Sequence, residues 1–278
     1  MVWRIYEKYL KFLMWLPIAF LIIAVGILAH NYFSTGYFVE RGVELAGGKI
    51  ITVPVKEADL NTIRSAIPYA SVRLSPGAQK TLTIEMQTDK NETEVLDNLR
   101  SLAVFDGEPS IKFVGPTVAE IFFQQAQIAI IMAFVLMSIV VFLLFRSFVP
   151  SAAVILAAVT DIMITLALIN VIGIKFSLPV LGAILAIIGY SVDTDILLTT
   201  ELVKGDRQKN SIEGIKRAVK TGLTLTFTAI AALLSLYFFS GSIVLQEIAS
   251  VLIIGLVVDM PVTWFTNAGF LKLWMERK

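Results

Sequence analysis

Six stretches of this 278-residue chain are long and apolar enough to cross a bilayer, and no water-facing fold can hold them all. A membrane helix needs about 20 mostly apolar residues. The stretches run approximately Leu13–Phe33, Gln127–Phe145, Ser151–Ile172, Ser177–Thr199, Thr221–Phe239 and Ile243–Phe265. Charged residues make up only 16% of the chain, against about 25% in a soluble domain. An ordinary soluble enzyme and a disordered chain are both excluded. The first stretch is longer than a signal-peptide core, and no small-x-small cleavage site precedes His30-Asn31. It predicts a retained signal anchor.

Lysine and arginine in the short connections set the orientation. Arg4, Lys8 and Lys11 precede the first span, Arg146 lies between the second and third, and Lys272, Arg277 and Lys278 follow the sixth. Lys204, Arg207, Lys209, Lys216, Arg217 and Lys220 lie between the fourth and fifth. The opposite short connections hold only Lys175. Both termini are therefore expected in the cytoplasm and the long polar region outside. Ser211–Lys220 reads as an amphipathic or basic anchor at the cytoplasmic interface.

That region divides the chain at 1–34, 35–118 and 119–278, and it carries nearly half of the charged residues. Val39–Val55 reads as a strand, Glu57–Ile67 as a helix, and Ser71–Leu74 with Thr81–Met86 as a hairpin around Ser75-Pro76-Gly77. Thr93–Leu102 reads as a second helix and Ser110–Val114 as a last strand. The order βαββαβ predicts a ferredoxin-like α+β domain on an α-helical membrane bundle. Asn91-Glu92-Thr93 has the form of a glycosylation sequon, which chance alone readily supplies.

Several chemistries are absent from the sequence. There is no cysteine and one histidine, His30, so thiolate sites and multi-histidine metal motifs are excluded. No Walker or GxGxxG pattern occurs, so neither cofactor nor metal is expected, and a net charge of +1 gives no pull toward nucleic acid. The spans instead hold acids: Asp161, Asp193, Asp195, Glu247 and Asp259. Glu247 lies near the outer end of the sixth span and reads as interfacial. An aspartate at a helix centre costs on the order of 2.5–3.5 kcal/mol on insertion scales. Protonation, a wet path or a base on another subunit must offset that cost, and such acids are what proton carriage needs.

Asp193 and Asp195 are two positions apart, about 200° around a helix. They cannot face one groove unless Gly189-Tyr190-Ser191 loosens the helix, and by depth Asp193 is the better buried candidate. Lys220, at the start of the fifth span, is the nearest base. Pro261 predicts a kink beside Asp259. Gly182, Ala186 and Gly189 predict close packing in the bundle or against another subunit.

Two segments carry a resemblance. Gly42-Val43-Glu44-Leu45-Ala46-Gly47-Gly48 resembles the GIDFTGG segment that opens the outer domain of the SecF family, and Gly189-Tyr190-Ser191-Val192-Asp193-Thr194-Asp195 resembles its fourth-span GYSINDT. Six spans with one large loop after the first also match, and VDTD looks like the archaeal spelling. The resemblance implies half of an RND-type transporter whose partner is a SecD-like membrane subunit. The pair assists export of a preprotein through the Sec translocon channel, using the proton-motive force. The family's aspartate falls on Thr194, between Asp193 and Asp195, its base falls on Lys220, and its first-motif aspartate on Glu44. The order of expectation for proton-linked residues is Asp193, then Asp195, with Lys220 as gate or counter-charge, followed by Asp161 and Asp259.

Two other readings share the acids. A half-size RND exporter of lipids or small molecules needs a substrate funnel, for which the outer domain is small. An intramembrane aspartyl protease needs two carboxylates facing each other on adjacent helices, and such families show a GxGD motif; GYSVD and GLVVD lack it.

Overall fold

The computed structural model describes residues 2–75, 80–203 and 211–276. A short helix α1 (Val2–Leu13) leads into α2 (Trp15–Thr35), which Gly36 ends in the left-handed conformation at φ 82°, the usual glycine stop. A single helical turn, α3 (Val43–Ala46), precedes the sheet unit: β1 (Gly48–Ala58), α4 (Leu60–Ala66), β2 (Ser71–Ser75), β3 (Thr81–Met86), α5 (Glu92–Leu102), β4 (Ala103–Phe105) and β5 (Ser110–Val114). The remaining helices are α6 (Pro116–Phe145), α7 (Phe148–Ile172), α8 (Leu178–Val203), α9 (Ser211–Phe239), α10 (Ile243–Pro261), a π-helical turn Val262–Asn267, and α11 (Ala268–Glu276).

Among the described residues, six helical segments have the length and composition of membrane spans: Lys8–Thr35, Pro116–Phe145, Phe148–Ile172, Leu178–Val203, Ile212–Phe239 and Ile243–Glu276. The second begins at Pro116, well before the expected Gln127. Proline at the first helical position lacks a donor that the helix end could not use anyway, so the helix starts while the sequence is still polar. Ser211–Lys220 is the opening of α9, continuous with the fifth span, and so is not a separate interfacial helix. The helix α8 runs unbroken through Gly189-Tyr190-Ser191. Gly182 and Gly189 lie on its open surface with nothing within 4 Å of a Cβ at either, while Ala186 between them packs partly against the core.

The sheet has the order β2-β3-β1, and the far side of β1 is shared by β5 along its first half and β4 along its second. All pairs are antiparallel. Alternation along β1 sends Ile51, Val53 and Val55 into a core with Leu82, Ile84 and Met86 of β3, closed by Ile63, Ile67, Val95 and Leu99. The expected strand from Val39 starts instead at Gly48, because the glycine-rich segment turns tightly. Gly42 starts α3, and Gly47 and Gly48 take φ of 84° and 141°, conformations that side chains oppose. Glu57 and Ala58 extend β1, so the first helix begins later than expected. Asp59 caps it, accepting from the Asn61 N–H at 3.0 Å. Asn91, the sequon residue, caps α5 by accepting from the Thr93 N–H at 3.0 Å. At the same end Lys49 pairs with Glu92 and holds its carboxyl below the usual range. The expected hairpin pairs β2 with β3; its turn, and Lys204, Arg207, Lys209, Arg277 and Lys278, lie outside the described residues.

The face of the sheet without helices meets the end of the bundle. Gly42 N–H donates to the Phe176 carbonyl (2.8 Å) and Phe176 N–H to the Glu40 carbonyl (2.7 Å). This ties the glycine segment to the α7–α8 connection.

Candidate functional site

Three spans bring their acids together. Asp161 of α7, Asp195 of α8 and Asp259 of α10 are each at most 1% exposed, and the three carboxyls are close enough to act on one another electrostatically. Ser191 Oγ donates to Asp161 Oδ2 at 2.5 Å. The Thr194 hydroxyl lies 3.0 and 3.2 Å from the two oxygens of Asp259, and 2.8 Å from the Ser191 carbonyl. The Thr263 hydroxyl bridges Asp195 Oδ1 (3.1 Å) and Asp259 Oδ1 (2.9 Å), and Asn267 Nδ2 donates to Asp195 Oδ1 at 2.6 Å.

Helical spacing explains this convergence. Ser191 and Asp195 are one turn apart on α8, with Thr194 beside them, so all three point the same way. Asp259 and Thr263 are related likewise across the start of the π turn, and the wider turn carries Asn267 onto the same face. Pro261 has no N–H for the Val257 carbonyl. The helix continues through it and changes hydrogen-bond register at Val262, where a simple kink was expected. Such turns often sit at functional sites.

Asp193 does not join the pocket. It is exposed on the outer face of α8 while Asp195, two positions on, is fully buried. Depth ranked Asp193 first; rotation about the helix reverses the order of burial. Lys220 is exposed on α9, and no ion pair joins it to Asp161, Asp195 or Asp259 among the described residues. The pocket's negative charge must therefore be offset by protons, by a bound cation or by a group from another chain. Sequence reading missed Thr194, Thr263 and Asn267 as pocket residues. Thr263 and Asn267 carried a signal, lying four and eight positions after Asp259; Thr194, adjacent to two acids, carried none of that kind.

The first motif builds the junction with the sheet. Glu44 accepts from the Leu178 N–H at 3.0 Å, capping α8, and pairs with Lys112 at 2.6 Å. Arg41 stacks between Tyr37 and Phe123, with its guanidinium 3.8 and 3.6 Å from the ring centres. Glu247, read as interfacial, lies near the start of α10 and is the hub of a network there. It pairs with Arg73 (3.5 Å) and accepts from Ser177 Oγ (3.1 Å), while Glu85 joins Arg73 (2.5 Å) to Lys175 (2.9 Å). Arg73, Glu85, Ser177 and Glu247 line a cavity of about 330 Å³ between sheet and bundle.

Comparison with known proteins gives a consistent picture. The family described as "Protein export membrane protein SecD/SecF, C-terminal" matches residues 95–277. The Pyrococcus furiosus protein-export membrane protein SecF is 38% identical over 263 residues, covering 92% of this chain and 88% of that protein. The Methanothermobacter thermautotrophicus protein of the same name is 37% identical over 284 residues, covering 98% and 95%. In structure, the translocon-associated membrane protein SecDF from Thermus thermophilus matches with a TM-score of 0.75 at 20% identity. The match covers 98% of this chain but only 38% of that one. A heavy metal efflux pump matches with a TM-score of 0.51 at 14% identity, covering 74% of this chain and 23% of the pump. With six spans and relatives of this name over nearly its whole length, the chain is a multi-pass membrane protein that belongs to the SecD/SecF family of protein-export membrane proteins.

Proposed function

We propose that this protein is an accessory, non-enzymatic subunit of the Sec protein-export machinery. It acts with a SecD-like partner to promote passage of a preprotein through the translocon channel, coupled to the proton-motive force. The observation that carries the coupling is the pocket of Asp161, Asp195 and Asp259. Three acids lie buried at mid-span, with no base paired to them among the described residues, in a chain whose relatives are named for protein export. Intramembrane acids of this kind mark ion pathways. Asp195 and Asp259 share the Thr263 hydroxyl, so they are the working pair, with Asp161 linked through Ser191.

The distribution of basic residues supports cytoplasmic termini and an external sheet unit at residues 35–118, between 1–34 and 119–278. The sheet order β2-β3-β1 with β5 beyond supports reading that unit as ferredoxin-like, its last strand divided in two. The partner reading is supported by α8. Gly182, Gly189 and Asp193 face away from the bundle at membrane depth, where a carboxyl needs cover from another protein.

The test is a pulse-chase of a signal-bearing precursor in cells at matched membrane abundance. Asp195→Asn and Asp259→Asn are expected to slow precursor export toward the rate of the deletion. Wild-type export in both variants alongside a defective deletion would make the acids structural and end the coupling. Normal export in the deletion itself would favour the half-size RND exporter.

A further inference from the structure

Arg41 holds a guanidinium that is firmly positioned but not paired. Tyr37 and Phe123 cover its two faces, with ring centres 3.8 and 3.6 Å from Cζ, and the side chain is 16% exposed. Stacking of this kind fixes the plane of the fork and leaves its donors to point outward along that plane. Among the described residues the guanidinium makes no hydrogen bond, and its Nε is buried without a partner. Glu120 Oε2 lies 3.9 Å from Nη1 and belongs to a side chain that is 58% exposed; the separation is beyond hydrogen-bond distance. A charged group withdrawn this far from water costs more to leave unpaired than a neutral one. The fork therefore calls for an acceptor that the chain itself does not supply.

A second base shares its surroundings. The parallel bridge between Arg41 and Phe176 brings the backbone of Lys175 into the same junction. Arg41 and Lys175 both line a second cavity, of about 270 Å³, together with Tyr69, Ser71, Glu85 and Gln87. An ammonium has three donors, and Lys175 gives one to Glu85 at 2.9 Å. Glu85 is paired with both Arg73 and Lys175, so its charge is already met. What remains open to the cavity is a planar fork, an ammonium and neutral polar side chains. That is the donor set for a phosphate, which takes the fork in two parallel hydrogen bonds.

The neighbouring surface says which phosphate. Tyr32, Phe33, Tyr37 and Phe38, at and just after the end of α2, are each at least 45% exposed, and Tyr32 stacks on Phe38 with ring centres 4.6 Å apart. Tyrosines at the ends of spans lie at the headgroup level of a bilayer. Val118 and Ile121, on either side of Glu120 near the start of α6, are 45% and 48% exposed. Arg41 thus sits where two spans reach the membrane surface on the side of the sheet, among apolar and aromatic side chains turned outward. We propose that Arg41, with Lys175, binds the phosphate of a phospholipid headgroup in the leaflet on that side and so seats the sheet unit on the membrane. The site is separate from the carboxyl pocket and does not depend on the role proposed for the acids.

The test titrates the purified full-length protein, stripped of lipid in detergent, with phosphatidylglycerol. A parallel titration uses a glycosyl diacylglycerol of the same chain length, which lacks the phosphate. Native mass spectrometry reads the first lipid bound, and thermal melting reads its effect on stability. The phospholipid is expected to bind first about tenfold or more tightly than the glycolipid, and to raise the melting temperature saturably. Arg41→Gln weakens that first binding by about tenfold or more, as the loss of a hydrogen bond to a charged group does. Arg41→Lys keeps the charge but loses the fork, so it weakens binding less, and it carries the comparison if Arg41→Gln does not fold. Arg100→Gln, on a side chain of α5 that is 67% exposed, leaves the titration unchanged. Equal affinity for the two lipids overturns the proposal, as does wild-type affinity for the phospholipid in both Arg41 variants. Inorganic phosphate that stabilises as well as the phospholipid at equal concentration makes this a site for the free ion and overturns the lipid. Absence of any lipid preference, with the SecD-like partner lost from the purified complex in Arg41→Gln, also overturns it and assigns the fork to a carboxylate of that partner.

Discussion

Gly48 sits at φ 141°, and a Cβ built on it would lie 2.5 Å from the Met86 carbonyl oxygen. That oxygen belongs to β3, paired with β1, so it cannot retreat without breaking the sheet. Backbone strain of this kind costs on the order of 1–3 kcal/mol per residue, and here a clash with main chain adds to it. Gly48→Ala is expected to lower stability by at least that amount, read as a lower apparent melting temperature. Gly26→Ala, at a helix position with open space around it, is expected to leave melting unchanged or raise it, since alanine is the better helix former by about 1 kcal/mol. The glycine pair was legible in the sequence as a motif, and its physical reason is the tight turn from α3 into β1. The choice between Asp193 and Asp195 was not legible. The helix α8 is apolar on nearly every side, so its sequence carries no marked face, and depth was the only ordering available. Rotation by about 200° between the two positions decides the matter, and only the packing of α7 and α10 says which direction is inward.

At the scale of elements, helices and strands were readable wherever the sequence contrast was sharp. All six spans follow from length and hydropathy, and the sheet core follows from strict alternation in β1 and β3. Boundaries were less readable, because a proline or a glycine pair moves them: α6 starts at Pro116 and β1 at Gly48. The π turn after Pro261 is the clearest case. The sequence marks where regular bonding fails, but the register adopted afterwards depends on Thr263 and Asn267 finding Asp195. Pro261→Ala restores the missing N–H and permits an uninterrupted α-helix. Removing one residue's worth of extra turn rotates the residues beyond it by about 100°, which takes Thr263 and Asn267 away from the acids. The variant is therefore expected to fold and melt at or above the wild-type temperature while exporting precursor more slowly. Unchanged export with unchanged melting would mean that the π turn results from packing and has no part in the pocket.

For the whole molecule, the consequential contacts join residues too far apart in sequence for any pattern to connect. Arg73 and Glu247 are 174 positions apart, and Glu85 and Lys175 are 90 apart. Together they fix the sheet to the ends of α8 and α10. The helix α10 carries Glu247 at the sheet and Asp259 in the pocket, about 18 Å further along its axis at 1.5 Å per residue. A rigid helix fixed at both points transmits displacement between them. Arg73 is about a third exposed and Glu247 about a sixth, so solvent discounts their attraction to about 1 kcal/mol. Arg73 also serves Glu85, which would be left with Lys175 alone. Arg73→Ala is therefore expected to cost more stability than Glu247→Gln, and the two changes together less than their sum, because they share one interaction. A double-mutant cycle on melting measures that shared part directly. The functional consequence separates a latch from a static joint. If α10 links the sheet to the acids, Glu247→Gln slows export as Asp259→Asn does, and combining them adds no further defect. If the junction only holds the domain in place, the two export defects add, or Glu247→Gln has none.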